Sequence, residues 1–392
     1  MSAPASAVST GAPLVLAASV VADPPVVLAP MAGITNTAFR RLCREAMGRE
    51  LGADRAGGLF VSEMITSRAL VERNPKTLRL IRFEPDEQPR SIQLYGVDPA
   101  VVGAAVRMIV EDDLADHVDL NFGCPVPKVT RKGGGAALPW RIGLFEDLVT
   151  AAVRNADGAV PVTVKMRLGI DDEHWTYREA GLRAQEAGAA HVAVHGRTAA
   201  DFYGGTADWG PIAELVDLLD IPVLGNGDIW EADDALRMVR ETGCAGVVVG
   251  RGCLGRPWLF ADLAAAFDGR PDRARPLLGE VAATMYRHAQ LLVEWIGSER
   301  GVVEFRKHVA WYLKGFAAGG ELRSALARAS TLAELADLLA GLDASEPFPA
   351  AVLGLPRGRT SGGRPVALPD GWLASRDSRD VPLGAELADS GG

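Results

Sequence analysis

Short runs of β-branched and apolar residues alternate with longer amphipathic stretches from Val26 to Phe267. VVLAP (26–30) leads to a helical pattern from Asn36 to Met47, GLFVSEM (58–64) to SRALVERN, and RSIQLYG (90–96) to DPAVVGAAVRMIVE. DHVDLNFG (116–123) passes through a glycine-rich loop to LFEDLVTAAVRN, and PVTVKMRLG (161–169) leads to TYREAGLRAQEAG. HVAVHGR (191–197) precedes GPIAELVDLL, IPVLGNGD (221–228) precedes EADDALRMVRETG, and AGVVVGRG (245–252) precedes PWLFADLAAAF. Continuous apolar runs suit parallel strands buried on both faces. Eight strand–helix units of similar size predict an α/β chain folded as a (β/α)8 TIM barrel over residues 24–270. An open doubly wound sheet fits less well, because no dinucleotide glycine fingerprint accompanies the units. The stretch 49–58 reads as an enlarged loop before the second barrel strand.

The pattern changes near Arg275. VAATMYRHAQLLVEWIG, VVEFRKHVAWYLKGF and TLAELADLLAGL all have helical period, which predicts a small helical domain over 275–345. Residues 346–392 are rich in Pro, Gly, Arg, Ser and Asp with few bulky apolar side chains, a composition that predicts a disordered tail. Residues 1–23 contain no Lys or Arg. The apolar stretch PLVLAASVVA therefore lacks the basic flank of a signal peptide, and it is too short to span a bilayer. It reads as a disordered leader, and the protein is expected to be cytoplasmic, with no membrane partner.

Composition sharpens this picture in three ways. A hydrophobic share of 48 % over 392 residues supports a sizeable core. The four cysteines, Cys43, Cys124, Cys244 and Cys253, show no CxxC or Cys/His spacing, so neither a disulfide framework nor a metal site is expected. The net charge of −9 opposes a polyanionic partner. Any nucleic-acid reading must rest on a local basic patch. The oligomeric state is left open, a monomer being compatible with the pattern.

In this fold the active site forms at the C-terminal ends of the strands. Motif residues fall there on strand after strand: Pro30-Met31-Ala32-Gly33, Gln93, Asn121 with Cys124, Lys165 with Arg167, His195 with Arg197, Asn226-Gly227-Asp228, and Gly250-Arg251-Gly252. The polar side chains among them are costly to bury without a partner. GNGD and GRG can bring backbone N–H groups close to a phosphate, with Arg251 to neutralise it. Ordinary tight turns would explain either motif alone. Lys165 is either half of a structural ion pair or a cation facing an electron-rich cofactor atom. His195 is either a satisfied core histidine or a contact for cofactor or substrate. Cys43, Cys244 and Cys253 read as buried structural thiols. Cys124, before a proline on a glycine-rich loop, reads as exposed, and as a nucleophile or proton donor. No Asp–His pair points to hydrolysis, so proton donation is favoured.

APMAGITNTAFRRLC, SIQLYG, DLNFGCPVPKV, VKMRLG, VHGRT, the YGGTADW stretch, NGDI and the VVVGRG segment, with RKHVAWYLKG later, together resemble the tRNA-dihydrouridine synthases of the bacterial nifR3-like branch. The resemblance spans about residues 24–320. It implies an FMN cofactor, NADPH as electron donor, and reduction of uridine to 5,6-dihydrouridine in tRNA. On matching motifs, FMN would be held by Pro30, Met31, Ala32, Gln93, Lys165, His195, Asn226, Gly227, Asp228, Gly250 and Arg251. Cys124 would be the proton donor, and Asn121 and Arg167 would bind the uracil edge. Asp201 departs from the family, where glutamine is common.

Between Ser298 and Ser330 the chain carries Arg300, Arg306, Lys307, Lys314, Arg323 and Arg328 against Glu299, Glu304 and Glu321. Arg306, Lys307 and Lys314, beside Trp311 and Tyr312, are therefore expected to reach tRNA phosphates, with Lys128, Arg131 and Lys132 extending the path. The alternative activity is FMN-dependent reduction of a free pyrimidine such as dihydroorotate. A further alternative is a vestigial barrel that only binds RNA. The helical domain disfavours the first, and the intact Cys124, Lys165 and GNGD/GRG pair the second.

Overall fold

The computed structural model describes residues 11–52, 55, 57–382, 384 and 385. A two-stranded antiparallel hairpin, β1 (Leu14–Ala17) and β2 (Val20–Ala22), comes first. Eight parallel strands follow: β3 (Val26–Leu28), β4 (Leu59–Thr66), β5 (Ser91–Tyr95), β6 (His117–Phe122), β7 (Val162–Arg167), β8 (Val192–His195), β9 (Val223–Asn226) and β10 (Gly246–Val249). They close in sequence order, with β10 pairing back onto β3. Helices between them cover the outside, and the apolar residues facing those helices form the main core. The TIM barrel read from the sequence is therefore the fold.

Side chains alternate along a strand, so every second residue enters the barrel. From β3, β4, β8, β9 and β10 these are Val27, Ala29, Leu59, Val61, Ala193, Leu224 and Val248, which pack with Leu14, Val20 and Ala22 of the hairpin. The hairpin thus plugs the barrel, and the short link from Ala22 to Val26 places it at the strands' N-terminal end. This corrects the disordered leader for residues 11–23; residues 1–10 lie outside the described residues. Leu14, Val20 and Ala22 are the buried residues of the apolar stretch, while Val15 faces outward.

The enlarged loop at 49–58 is also different from expectation. The first barrel helix, Thr37–Leu51, continues into it, and Gly57 and Asp23 then exchange backbone hydrogen bonds of 2.8 and 3.1 Å. Arg55 pairs with both Asp23 and Asp268, tying the hairpin to the last barrel helix.

Beyond the barrel, helices Leu278–Ile296, Ser298–Phe305, Gly320–Leu326 and Leu332–Ala340 enclose their own core. Leu278, Val281, Met285, Leu292, Phe305 and Leu313 pack there together with Ala38 and Leu42 of the first barrel helix. The helical unit is therefore docked on the barrel beside the loop that follows β3.

The tail is not a loose segment. Val352 and Trp372 are buried, and Trp372 Nε1 donates to Ala137 O at 2.9 Å. Arg357 donates to Trp311 O at 2.9 Å and to Leu254 O at 3.2 Å. Arg364 N reaches Ala200 O at 3.1 Å, and Ile142 N reaches Arg376 O at 2.9 Å. Composition suggested disorder because bulky apolar residues are few, yet they are spaced as anchors along an extended path. Residues 383 and 386–392 lie outside the described residues.

The plug has a measurable consequence. Leu14→Ala should lower unfolding stability by about 2–4 kcal/mol, as for other buried leucines. Urea denaturation checks this; a change within about 0.5 kcal/mol, as for a surface site, would mean that the hairpin is not packed in the barrel.

Candidate active site

On β5, β6 and β7 the inward positions are polar. Ser91 and Gln93, His117, Asp119 and Asn121, and Thr163, Lys165 and Arg167 follow the two-residue period on their strands. The Asp119 carboxylate accepts from Thr163 Oγ1 and Gln93 Nε2, each at 2.7 Å. Thr163 directs its hydroxyl hydrogen to Asp119, so in the 2.9 Å contact with His117 Nε2 the ring N–H donates and Thr163 Oγ1 accepts. His117 Nδ1 then accepts from Ser91 Oγ at 2.7 Å. Burial holds His117 neutral, with its pKa pushed down to about 3, and raises Asp119 to about 6. The chain continues upward: Asn121 Nδ2 donates to Gln93 Oε1 at 2.7 Å, and Asn121 Oδ1 accepts from the amides of Gly123 and Cys124 at 3.1 and 2.9 Å.

Cys124 sits where this relay reaches the barrel mouth. It is half-buried, whereas Cys43, Cys244 and Cys253 are buried. The loop was expected to expose it, but Pro127–Thr130 and Gly135–Trp140 fold into short helical turns over it. Gly135, at φ +55°, passes so close that a Cβ would lie 2.5 Å from Cys124 O. Burial raises the thiol pKa, opposed by a backbone hydrogen bond from Val126 and by the charges of Arg167 and Lys165. The thiol is therefore protonated at neutral pH.

Lys165 Nζ donates to Asn226 Oδ1 at 3.0 Å, and Asn226 Nδ2 donates to Val248 O at 2.7 Å. Its hydrogen bond is to a neutral amide rather than to a carboxylate. Burial, with repulsion from Arg167, lowers Lys165 to about 8, while Asp119 draws it up. His195 is held neutral by burial and by the cations around it. Its Nε2 accepts from Arg197 at 3.3 Å, which leaves Nδ1–H as a donor. Arg167 grips Gly123 O at 2.9 Å and Thr198 O at 2.7 Å and lies over the Tyr203 ring. It thereby fixes the segment that carries Cys124.

At the ends of β9 and β10, Gly227 and Asp228 adopt φ +127° and +53°. The amides of Gly227, Asp228 and Gly250 take no backbone partner among the described residues. Unpaired amides gathered beside an arginine suit an anion. Arg251 lies between the rings of Tyr203 and Trp230 and 3.5 Å from Asp228. Asp228 also accepts two bonds of 2.9 Å from Arg197. Pro30, Met31 and Ala32 border the same mouth beyond β3, with Pro30 and Met31 half-buried and Ala32 exposed. The donor set thus fits a phosphorylated cofactor with an electron-rich ring: amides and Arg251 for the phosphate, Lys165 and His195 for the ring.

The three cations chosen in the helical unit divide. Arg306 is spent internally on Ala329 O at 2.7 Å and Ser330 Oγ at 2.9 Å, and Lys314 binds Pro356 O. Tyr312 is buried against His288. Lys307 is exposed, pairs with Glu304, and lies 3.5 Å from where a Gly33 side chain would begin. Lys307 is thus the member of the trio that reaches the mouth. Asp201, the departure noted above, closes a turn by accepting from Thr198 N and Oγ1 at 2.7 and 2.8 Å.

A family model for dihydrouridine synthases matches residues 27–347. The chain belongs to the dihydrouridine synthase family. It is 56 % identical over 384 residues to a Mycobacterium leprae protein named as a probable tRNA-dihydrouridine synthase, covering 93 % of this chain and 100 % of that one. A Mycobacterium tuberculosis protein of the same name is 56 % identical over 370 residues, 94 % of each chain. A Pseudomonas aeruginosa protein named tRNA-dihydrouridine synthase B is 39 % identical over 300 residues, 76 % of this chain and 86 % of that one. Residues 348–392 lie outside the family match.

Asp119, Thr163 and His117 were not singled out from the sequence of this family member. The signal was available, since His117 and Asp119 stand four and two residues before Asn121 on one strand face. Glu63 was also missed; it is buried and accepts the Gly33 amide.

Asp119 predicts a pH dependence. Its folded pKa of about 6 exceeds the unfolded one of about 3.9, so the native state holds the proton more tightly. Its contribution to stability is fully present below about pH 4 and is lost as pH rises through about 6. Asp119→Asn should remove this loss, about 1.4 kcal/mol for each pH unit of separation. Urea denaturation of both proteins between pH 4 and 7 checks it: a constant stability difference would show that Asp119 titrates normally.

Proposed function

We propose that this dihydrouridine synthase reduces uridine to 5,6-dihydrouridine in tRNA, with FMN bound and NADPH as reductant. The observation that carries the reading is the half-buried Cys124 at the mouth that also holds Lys165 and the unpaired amides. Pro30, Met31, Ala32, Gln93, Lys165, His195, Asn226, Gly227, Asp228, Gly250 and Arg251 would hold the cofactor. When bound, the cofactor would supply hydride chemistry, with NADPH as the source of electrons and carbon 6 of the uracil as the acceptor.

The remaining chemistry falls to the chain. Target uridine must leave its stack to enter a barrel mouth. Cys124 delivers its proton to carbon 5, and a thiol kept neutral by burial is suited to this. Arg167 remains cationic at neutral pH, although burial lowers it to about 10. It binds the uracil and stabilises the negative charge that builds as hydride arrives. Asn121 was expected on the uracil edge, but both ends of its amide are engaged. We assign it the holding of the Cys124 backbone. Lys307, beside Gly33, extends the RNA path from the helical unit. No helix among the described residues is long and apolar enough to cross a membrane, and the reading includes a cytoplasmic location, where a tRNA substrate is met.

Cys124→Ala should retain bound flavin and NADPH oxidation while dihydrouridine formation slows by about 10²–10⁴-fold, the usual worth of general acid catalysis. Single-turnover assays of the NADPH-reduced protein, with tRNA and with free uridine, check this. Wild-type rates in the variant would remove Cys124 from the reaction. Equal turnover of free uridine would point to a free pyrimidine as the substrate.

A further inference from the structure

After the helical unit the chain turns back over the barrel. Lys314 Nζ binds Pro356 O, and buried Arg357 is clamped between Leu254 and Trp311. Arg251 then donates to Arg359 O, and Tyr203 N reaches Ser361 O at 3.4 Å. Gly204 approaches so closely that a Cβ there would lie 2.3 Å from Gly362 Cα. Arg364 lies 4.0 Å over the Phe202 ring. Further on, the Trp372 ring fills the space beside Gly133 and hydrogen-bonds Ala137. Arg376 and Arg379 pair with Glu179 and with Glu146 and Asp147. The segment is thus a strap across the C-terminal strand ends, from the Arg251 corner to the loop that carries Cys124.

Its two ends are anchored, and its middle faces outward. Residues 358–365 are exposed. From Pro356 to Pro369 the strap contains Arg357, Arg359 and Arg364 and no acidic residue, in a chain of net charge −9. The Arg359 side chain takes no partner among the described residues; only its carbonyl is used, by Arg251. Lys128 and Arg131 stand exposed on the loop at the other end. Meanwhile the helical unit has spent Arg306 and Arg323 on its own carbonyls. The free cations at the mouth are therefore on the strap and the Cys124 loop rather than concentrated on the helical unit.

We propose that the strap is a second RNA-binding element, in which Arg359 and Arg364 contact phosphates of the substrate tRNA as its uridine enters the barrel. This rests on the tRNA reading above and says where the backbone beside the target is held. A glycine- and serine-rich run between the arginines, SGG (361–363), lets the side chains adjust to the RNA while Arg357 and Trp372 keep the segment in place. Neither arginine side chain enters the reaction site, so their work is binding and not chemistry.

The test is Arg359→Glu/Arg364→Glu in the full-length, flavin-loaded protein, with Arg359→Gln/Arg364→Gln beside it to separate lost contacts from added repulsion. Both variants should keep flavin content, NADPH oxidation without RNA, and kcat at saturating tRNA. Their KM for tRNA should rise, by about tenfold for the Glu pair, and the slope of log K against log salt should flatten by about 1.4–1.8 for two lost phosphate contacts. If wild type reduces tRNA and both variants match its KM and salt slope, the strap proposal is overturned and the tRNA reading stands. If wild type neither binds nor reduces tRNA, both fall together.

Discussion

The site depends on a carboxylate that the barrel cannot leave in water. Asp119 is 4 % exposed, and an ion stripped of solvent to this degree costs several kcal/mol unless it is hydrogen-bonded and paired. Two donors and the nearby Lys165 meet that demand, and each is thereby fixed in turn. Gln93 gives its amide hydrogen to Asp119, so its oxygen is presented to Asn121; Asn121 is then oriented with its own oxygen toward the Cys124 amide. One buried charge sets the direction of a hydrogen-bond chain that ends at the backbone amide of Cys124. The opposite half of the barrel interior has no such problem. Leu59, Val61, Ala193, Leu224 and Val248 there are apolar and pack against the β1–β2 hairpin, while His195 and Asn226, two positions further along β8 and β9, carry the polarity at the mouth.

Two opposing influences meet at Cys124. Reactive thiolates arise where cations and partial exposure lower the pKa; Arg167 and Lys165 act in that direction here. Burial outweighs them. In the proposed reaction the same cations, which fall short of ionising the thiol, would stabilise a negative charge on the uracil beside it. A proton donor next to a cationic wall is what addition of hydride to an electron-poor ring requires, because the ring gains charge before it gains the proton. Hydrolysis would call for a base within reach of the sulfur, and His195 accepts instead from Arg197.

The barrel was legible because parallel strands buried on both faces leave uninterrupted apolar runs, and because loops at one rim must carry the polar exceptions. Lys165, Asn226 and Cys124 stood out on that ground and do converge. Asp119 escaped notice since it lies one inward position below the rim, where an aspartate reads as an ordinary strand residue. What one sequence could not give was long-range. Whether PLVLAASVVA is loose or a plug depends on barrel positions far away, such as Leu224 and Val248. Whether Arg306 meets RNA depends on the carbonyl of Ala329, which a local helical pattern does not bring to mind. The tail failed for the same reason: composition measures how much apolar surface a segment has, not whether a few anchors such as Trp372 have sockets waiting.

Net charge misleads in a similar way. At physiological ionic strength the field of an exposed charge fades over about 8–10 Å. Much of the acidity lies on outer surfaces and is already paired, as in Arg41–Glu45, Arg183–Glu186 and Arg237–Asp234. An approaching phosphate at the mouth is screened from those carboxylates and meets the cations within reach. These are Lys307 beside Gly33, Lys128 and Arg131 on the Cys124 loop, and Arg359 and Arg364 on the strap. They come from three separate stretches of chain, and the strap closes the arc between the other two. Folding the tail back over the rim brings Arg359, whose side chain takes no partner among the described residues, to the mouth that the exposed Lys128 and Arg131 also border.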